Sequence, residues 1–393
     1  MRKLFYLGLE SYECRYTASL EKYTRKAFEK RGIDYEVIYG NTLKTDEPIV
    51  TGSVLDAHGR TYYSLTQVAN LVLKMKQGEI TSDDVIFFED MYTSGIDSLF
   101  YILDQVPAKY KPKIYVRQYA GQTDPDDFVN RTGMASWMSL HEKLVESKVN
   151  GVFVANEEFV AHLRIGGYKG SIYVTGLPVS KEDVLSRATP IPMLSRKNRV
   201  AFASRWDSEK QPNFYMDVAK EYYKIDPTVE FAVFTGHKKL KSNDENFVKQ
   251  AYDLVNSKEA NFKVYDGLTR EEYYKQLADT RVLFSNAIQE WQSFITMDAS
   301  ALGTILLYPA YRSFPEVLAN NEKFMYIPWS RNSAITQLQK MLNNPLDYDM
   351  TLMVNYWDGA LDRHIDIFEG KGEQYSRNTL DYRKYLTIPK FAW

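Results

Sequence analysis

The stretch that decides the fold is "DGLTREEYYKQLADTRVLFSNAIQEWQSFITMDASALGTILLYP", residues 266–309. Thr269 with Glu272 at the third helical position is a capping-box pattern, so a helix opens there. "RVLFSN" (281–286) is short, apolar and bounded by polar residues, which predicts a buried strand. A polar loop with Glu290 follows, then a helix of small residues from near Ser293 that carries Asp298. Gly303 ends it, and "TILLYP" (304–309) reads as the next strand. Helices alternating with short apolar strands build βαβ units, whose right-handed crossovers need a parallel sheet covered on both faces.

The same rhythm runs outward in both directions. Before it come "RVAFASR" (199–205), "EFAVFTG" (230–236) and "FKVYDGL" (262–268); after it comes "KFMYIP" (323–328). The first half offers "KLFYLGL" (3–9), a helix around 17–31 that stops at Gly32, "YEVIYG" (35–40), "DVIFFED" (84–90), "PKIYVRQY" (112–119), "GVFVAN" (151–156) and "SIYVTGLP" (171–178). These runs are apolar on both faces, as strands of a buried parallel sheet are. "SRATPIPMLSRKN" (186–198) has two prolines and no periodicity, and reads as a linker. The expected class is α/β, with two Rossmann-like doubly wound domains facing a central cleft. Residues 1–185 form the first, 199–368 the second, and 369–393 are expected to pack back on the first. In such sheets the ligand lies beyond the carboxyl ends of the strands.

Composition narrows the function classes. The chain has 393 residues, 44% hydrophobic and 25% charged, which suits a globular protein of two domains. No apolar run is long enough to span a bilayer. "MRKLFYLGLESYECRY" begins like a secretion signal but turns acidic and aromatic too soon. A single cysteine, Cys14, excludes an internal disulfide and a cysteine-built zinc site. A cytoplasmic location is the default expectation. The five histidines form no metal-binding pair, and a net charge of −2 argues against a strongly basic surface for nucleic acid while leaving room for a local basic cleft.

The strand ends carry the chemistry. After the strand ending at Ser204 come Arg205 and then Lys210, just before a helix whose first turn holds Pro212. Two cations and a helix N-terminus favour an anionic group such as a diphosphate. The strand 281–286 ends at Ser285-Asn286, followed by Glu290, Trp291, Gln292 and Ser293. A helix starting near Ser293 can bind phosphate with its N–H groups. Glu290 and Asp298 are carboxylates able to accept hydrogen bonds from vicinal diols, and a nucleotide sugar offers one diol on the ribose and another on the sugar.

Taken together, this pattern resembles the donor-binding half of GT-B glycosyltransferases, particularly retaining glycosyltransferase family 4. That family has an Arg, a Lys five residues on, and a Glu-x7-Glu motif within a stretch like "EGFGLPVLEAMACGTPVI"; "EWQSFITMDASALGTILL" matches it in position and in the closing Gly-Thr. The resemblance covers roughly 199–345. It implies Arg205 and Lys210 on the donor diphosphate, Glu290 on the transferred sugar and Asp298 on the ribose. It also implies a UDP-sugar as co-substrate and no required cofactor or metal. "WQS" replaces the family's "GFG", and Asp replaces its second Glu, which leaves sugar identity and the nucleotide contact open.

The N-terminal half matches less. "LGLESYECRYTASLEKYTRKAFEKRGIDYEVIYGN" is somewhat similar to the start of the T-even phage DNA α-glucosyltransferases, with "GLE", a Cys and "SLE" in order. Gly8 would let its loop approach the donor phosphates. Where many GT-B enzymes have a His at the end of the fourth strand, Gln118-Tyr119 stands here. The acidic loop "RQYAGQTDPDDFVNRTG" (117–133) supplies Asp124, Asp126 and Asp127, and Asp124 is the candidate to orient or deprotonate an acceptor hydroxyl. "DPD" looks like a metal-binding DxD, but a turn or acceptor loop is the favoured reading.

Three function classes follow. The first is a retaining transferase acting on a hydroxyl, with 5-hydroxymethylpyrimidine of phage DNA as the favoured acceptor (the host cytoplasm would then be its location). Arg15, Arg25, Arg117, Arg131 and Lys143 are its candidate phosphate contacts. A carbohydrate or lipid acceptor is the alternative, the latter suggested by the basic helix 17–31, although no integral membrane association is expected. The second class is a two-lobed binding protein without enzymatic activity. The third is a sugar-nucleotide epimerase, for which His237 is the catalytic candidate.

Overall fold

The computed structural model describes residues 1–11, 16–43, 57–288, 290–291 and 293–377. The chain separates into two compact units. One holds Met1–Pro178 and the chain from Gly359 onward as far as it is described; the other holds Val179–Asp358.

The first unit is built on a parallel sheet of β1 (Leu4–Leu7), β2 (Tyr35–Val37), β3 (Val85–Phe88), β4 (Lys113–Arg117), β5 (Gly151–Val154) and β6 (Ile172–Val174), in the order β2-β1-β3-β4-β5-β6. β1, β3 and β5 are buried along their whole length, as their unbroken apolar runs require. The helix Tyr16–Lys30 ends at Gly32, whose φ of +64° is the left-handed turn that glycine takes without strain.

The helix Ala360–Phe368 belongs to this first unit, whereas the sequence reading ran the second domain to 368. Its Phe368 ring stands 5.4 Å from both Phe87 and Tyr115 and 5.6 Å from Phe153. It therefore covers the face of β3, β4 and β5 together with Phe28 and Ile365. Periodicity identifies the helix as amphipathic but cannot say which of two similar sheets receives its apolar face. Beyond it, Ser376 bridges to Tyr173 on β6, so the described part of the C-terminal segment also lies on the first unit.

The second unit repeats the plan with β7 (Lys197–Phe202), β8 (Glu230–Phe234), β9 (Phe262–Tyr265), β10 (Thr280–Phe284), β11 (Ile305–Pro309) and β12 (Met325–Tyr326), all parallel, in the order β12-β11-β10-β7-β8-β9. Sequence neighbours run one way from β7 and the other way from β10. The strand order reverses between these two, which opens a crevice at their carboxyl ends. The stretch 186–198 is fastened to this unit rather than loose. Buried Arg196 donates to the carbonyls of Ile191, Thr280 and Leu302 and to Thr304 Oγ1. Burial lowers its pKa to about 10. Gly303, with φ +72°, leaves room for this guanidinium; a Cβ there would stand 3.3 Å from Arg196 Nη2.

Candidate functional site

The loop after β7 and the loop after β10 meet at the reversal point of the second sheet. Three contacts join them. Ile288 N donates to Glu209 O at 3.0 Å, the Asn286 amide donates to Gln211 O, and Lys210 Nζ lies 2.7 Å from Glu290 Oε2. The Lys210 side chain is only 8% exposed, so this ion pair is largely withdrawn from water. Gln211 takes φ 50°, a left-handed conformation costly for a side-chain residue, and caps the helix Pro212–Tyr223. Proline stands at its first turn, as expected.

Arg205 occupies the same loop but is 44% exposed and is held by its own neighbours, Asp207 at 3.1 Å and Glu209 at 2.5 Å. Glu209, whose carbonyl accepts from Ile288 N, links it to the seam. Ser285 and Asn286 are buried at the end of β10, and among the described residues the Asn286 Oδ1 atom has no hydrogen-bond partner. Ser313 Oγ donates to the Glu290 carbonyl at 2.7 Å and steadies that loop from the β11 side. Trp291 is buried, and Gln292 lies outside the described residues.

The helix Phe294–Ala301 begins at Ser293, whose side chain makes no capping bond among the described residues. Asp298 on this helix is held by two tyrosines. Its Oδ1 accepts from Tyr274 at 3.1 Å and its Oδ2 from Tyr273 at 3.5 Å. The carboxylate keeps a partial opening to solvent, yet the surrounding protein is dense enough that desolvation raises its pKa to about 7, against the opposing pull of Tyr274, Arg270 and Tyr273. Sequence reasoning missed the two tyrosines. Their only signal was an adjacent pair on the helix Arg270–Ala278, which opens with the capping box read from the sequence.

In the first unit the strand order reverses between β1 and β3. Gly8 follows β1, and its carbonyl accepts from buried Gln67 at 3.0 Å. Glu89, fully buried at the end of β3, accepts from Tyr6 at 2.8 Å and Tyr119 at 2.5 Å and pairs with Arg117 at 3.0 Å. Arg117 Nη2 also meets His364 Nε2 at 3.0 Å, and burial drives that imidazole pKa well below its ordinary value. Tyr119 is thus tied by its hydroxyl into a buried ionic cluster.

That cluster corrects the expectation for Arg117. At 1% exposure with Glu89 as partner, it cannot reach a nucleic-acid phosphate. The other basic candidates are open to solvent: Arg25 and Arg131 are 45% and 40% exposed, and Lys143 is exposed. Arg15 lies outside the described residues. Asp124 is buried and its Oδ1 accepts from Asp126 N at 3.0 Å, while Asp127 accepts from Gly121 N and Val129 N. The acidic loop is folded around its own carboxylates. His237 is half-buried after β8, and desolvation lowers its pKa.

Among the described residues, no cluster of three or more His, Cys, Asp or Glu side chains is arranged for a metal ion, and no helix is long and apolar enough to cross a membrane.

Solved structures share this architecture. Sucrose-phosphate synthase from Thermosynechococcus elongatus is 14% identical at a TM-score of 0.60, covering 95% of this chain and 97% of its own. A glycosyltransferase from Rickettsia africae is 11% identical, TM-score 0.60, covering 94% and 98%. HepE of Anabaena, solved in complex with UDP, is 12% identical, TM-score 0.57, covering 95% and 99%. No family model matches the chain, and no curated protein sequence does. The fold, two parallel-sheet α/β units, is that of the GT-B glycosyltransferases.

Proposed function

We propose that this protein is a retaining glycosyltransferase that moves a sugar from a UDP-sugar to an acceptor hydroxyl. The observation that carries the reading is the withdrawn Lys210–Glu290 pair at the strand-order reversal of the second sheet. One partner is a cation suited to a leaving diphosphate, the other a carboxylate suited to sugar hydroxyls. In this reading Lys210 and Arg205 bind the diphosphate, with the helix N-terminus at Ser293 beside them. Glu290 orients the transferred sugar and Asp298 the ribose. Ser285, Asn286 and Trp291 shape the wall. The acceptor oxygen bonds to the anomeric carbon as its bond to the phosphate oxygen breaks, and the electron pair leaves on UDP. Positive charge placed where negative charge develops lowers that barrier.

Within the first unit, Gly8, Tyr119 and Asp124 are the residues we assign to the acceptor, with Asp124 as the group that takes its proton. The acceptor we favour is 5-hydroxymethylpyrimidine in duplex DNA. Solved neighbours that contain UDP, such as HepE, support the choice of nucleotide.

Calorimetry with UDP on Arg205→Ala and Lys210→Ala tests the reading. A charge-assisted contact contributes roughly 1.5–3 kcal/mol, so each variant should bind UDP at least about tenfold more weakly while remaining folded. Unchanged affinity in both variants would remove the diphosphate assignment. Slow release of free sugar and UDP separates a transferase from an epimerase, which would interconvert UDP-sugars, and from a binding protein, which would do neither.

A further inference from the structure

Two turns at the carboxyl edge of the second sheet hold bulky residues where the backbone favours glycine. Ile327-Pro328-Trp329-Ser330 is a β-turn closed by Ser330 N to Ile327 O at 3.1 Å, and Trp329, its second central residue, has φ 59°. Tyr311-Arg312-Ser313-Phe314 is closed by Phe314 N to Tyr311 O at 3.2 Å, and Arg312, its first central residue, has φ 55°. Glycine adopts positive φ freely, and a tryptophan there is a conformational outlier. Strain of this kind clusters at active sites and ligand contacts.

The two turns follow the paired strands β11 and β12 and meet each other. The Tyr311 and Trp329 rings pack edge to face at 5.2 Å, and the Arg312 guanidinium lies 5.5 Å from the Tyr311 ring. Trp329 nevertheless remains 56% exposed, so the strain does not serve to bury it. The next residue after Arg312, Ser313, is the one that bonds the Glu290 carbonyl. The platform therefore adjoins Glu290 on the β11 side, while Asp298 is anchored to the helix Arg270–Ala278, which leads from β9 into β10.

We propose that Trp329, Tyr311 and Arg312 form a contact for the nucleic-acid acceptor, with a base stacked on the indole and its phosphate on the guanidinium. This rests on the transferase reading, because it is Glu290's assignment to the transferred sugar that brings an acceptor to this flank. Aromatic faces stack any base, and a neighbouring arginine adds charge for the backbone.

The test uses the full chain with Trp329→Gly, Trp329→Phe and Arg312→Gly. Binding of a fluorescein-labelled duplex carrying 5-hydroxymethylcytosine is read by anisotropy at low salt with UDP present, UDP binding by calorimetry, and melting by calorimetric scan. Trp329→Gly should melt no lower than the parent, since glycine relieves the turn. It should bind UDP equally and the duplex at least about fivefold more weakly, the weight of one stacked base. Trp329→Phe should restore most of the duplex affinity, and Arg312→Gly should lower it and flatten its salt dependence. Unchanged duplex affinity in Trp329→Gly overturns the proposal. So does a parallel loss of UDP affinity, which would put the donor's own base on the indole. A parent that binds UDP but no duplex overturns this inference and leaves the donor reading standing; a parent that binds duplex but not UDP overturns the donor reading and, with it, the assignment of this flank to an acceptor.

Discussion

Replacing Asp298 with asparagine should change how stability depends on pH. The carboxyl titrates near 7 in the folded protein because burial disfavours its charge, whereas an unfolded aspartate titrates near its ordinary 3.8. Below 3.8 both states hold the proton and no difference arises. Between 3.8 and 7 the folded state holds a proton that the unfolded state has released, so stability falls as pH rises; above 7 the loss is complete. At about 1.4 kcal/mol per pH unit the limit is about 4 kcal/mol. The partial opening to solvent screens part of this, and about 2 kcal/mol is the amount to seek. Asparagine has no charge to bury, and its Oδ1 can still accept from a tyrosine hydroxyl. Thermal melting of both proteins from pH 4 to 8.5 is the assay. For a unit of this size about 2 kcal/mol corresponds to roughly 4–8 °C. The variant should gain on the parent steadily from pH 4 to 7 and hold that advantage above 7. A difference in melting temperature that stays constant across the range would mean that the carboxyl is ordinarily ionised, and the reasoning from burial would fail.

The carboxylates should also separate by ligand. Asp298→Asn is expected to weaken UDP itself, and Glu290→Gln to leave UDP binding nearly intact while lowering turnover, because the transferred sugar is absent from UDP; calorimetry with UDP beside kinetics with the full donor reads both, and equal losses of UDP affinity would show the two roles wrongly assigned. Arg117→Met strands Glu89 in the interior and should destabilise the protein by about 3–5 kcal/mol, seen in urea unfolding; a stable variant with weakened DNA binding would contradict its burial. Asp124→Asn should reduce transfer with UDP affinity unchanged, and an unaltered transfer rate would remove its assignment to the acceptor proton.

By itself the sequence determined the elements and their order. Short runs such as "RVLFSN" and "GVFVAN" are apolar on both faces, and only a parallel sheet covered on both sides accommodates them. Thr269 with Glu272, Pro212 and Gly32 marked helix ends because capping is local chemistry, decided within a few residues. The same local logic put Arg205, Lys210 and Glu290 in the loops that follow strands and Asp298 on the next helix. What the tertiary structure alone decided is which of them meet, and in what surroundings. Lys210 and Glu290 form one pair, although eighty positions apart in the chain. Asp298 is held by Tyr273 and Tyr274 and has its proton affinity raised by burial. Arg117, an ordinary cation at a strand end in the sequence, is sealed against Glu89 under a helix that returns from beyond residue 359. Burial depth and ion pairing depend on segments distant along the chain packing together, and hydrophobic periodicity carries no information about which distant partner a face will find.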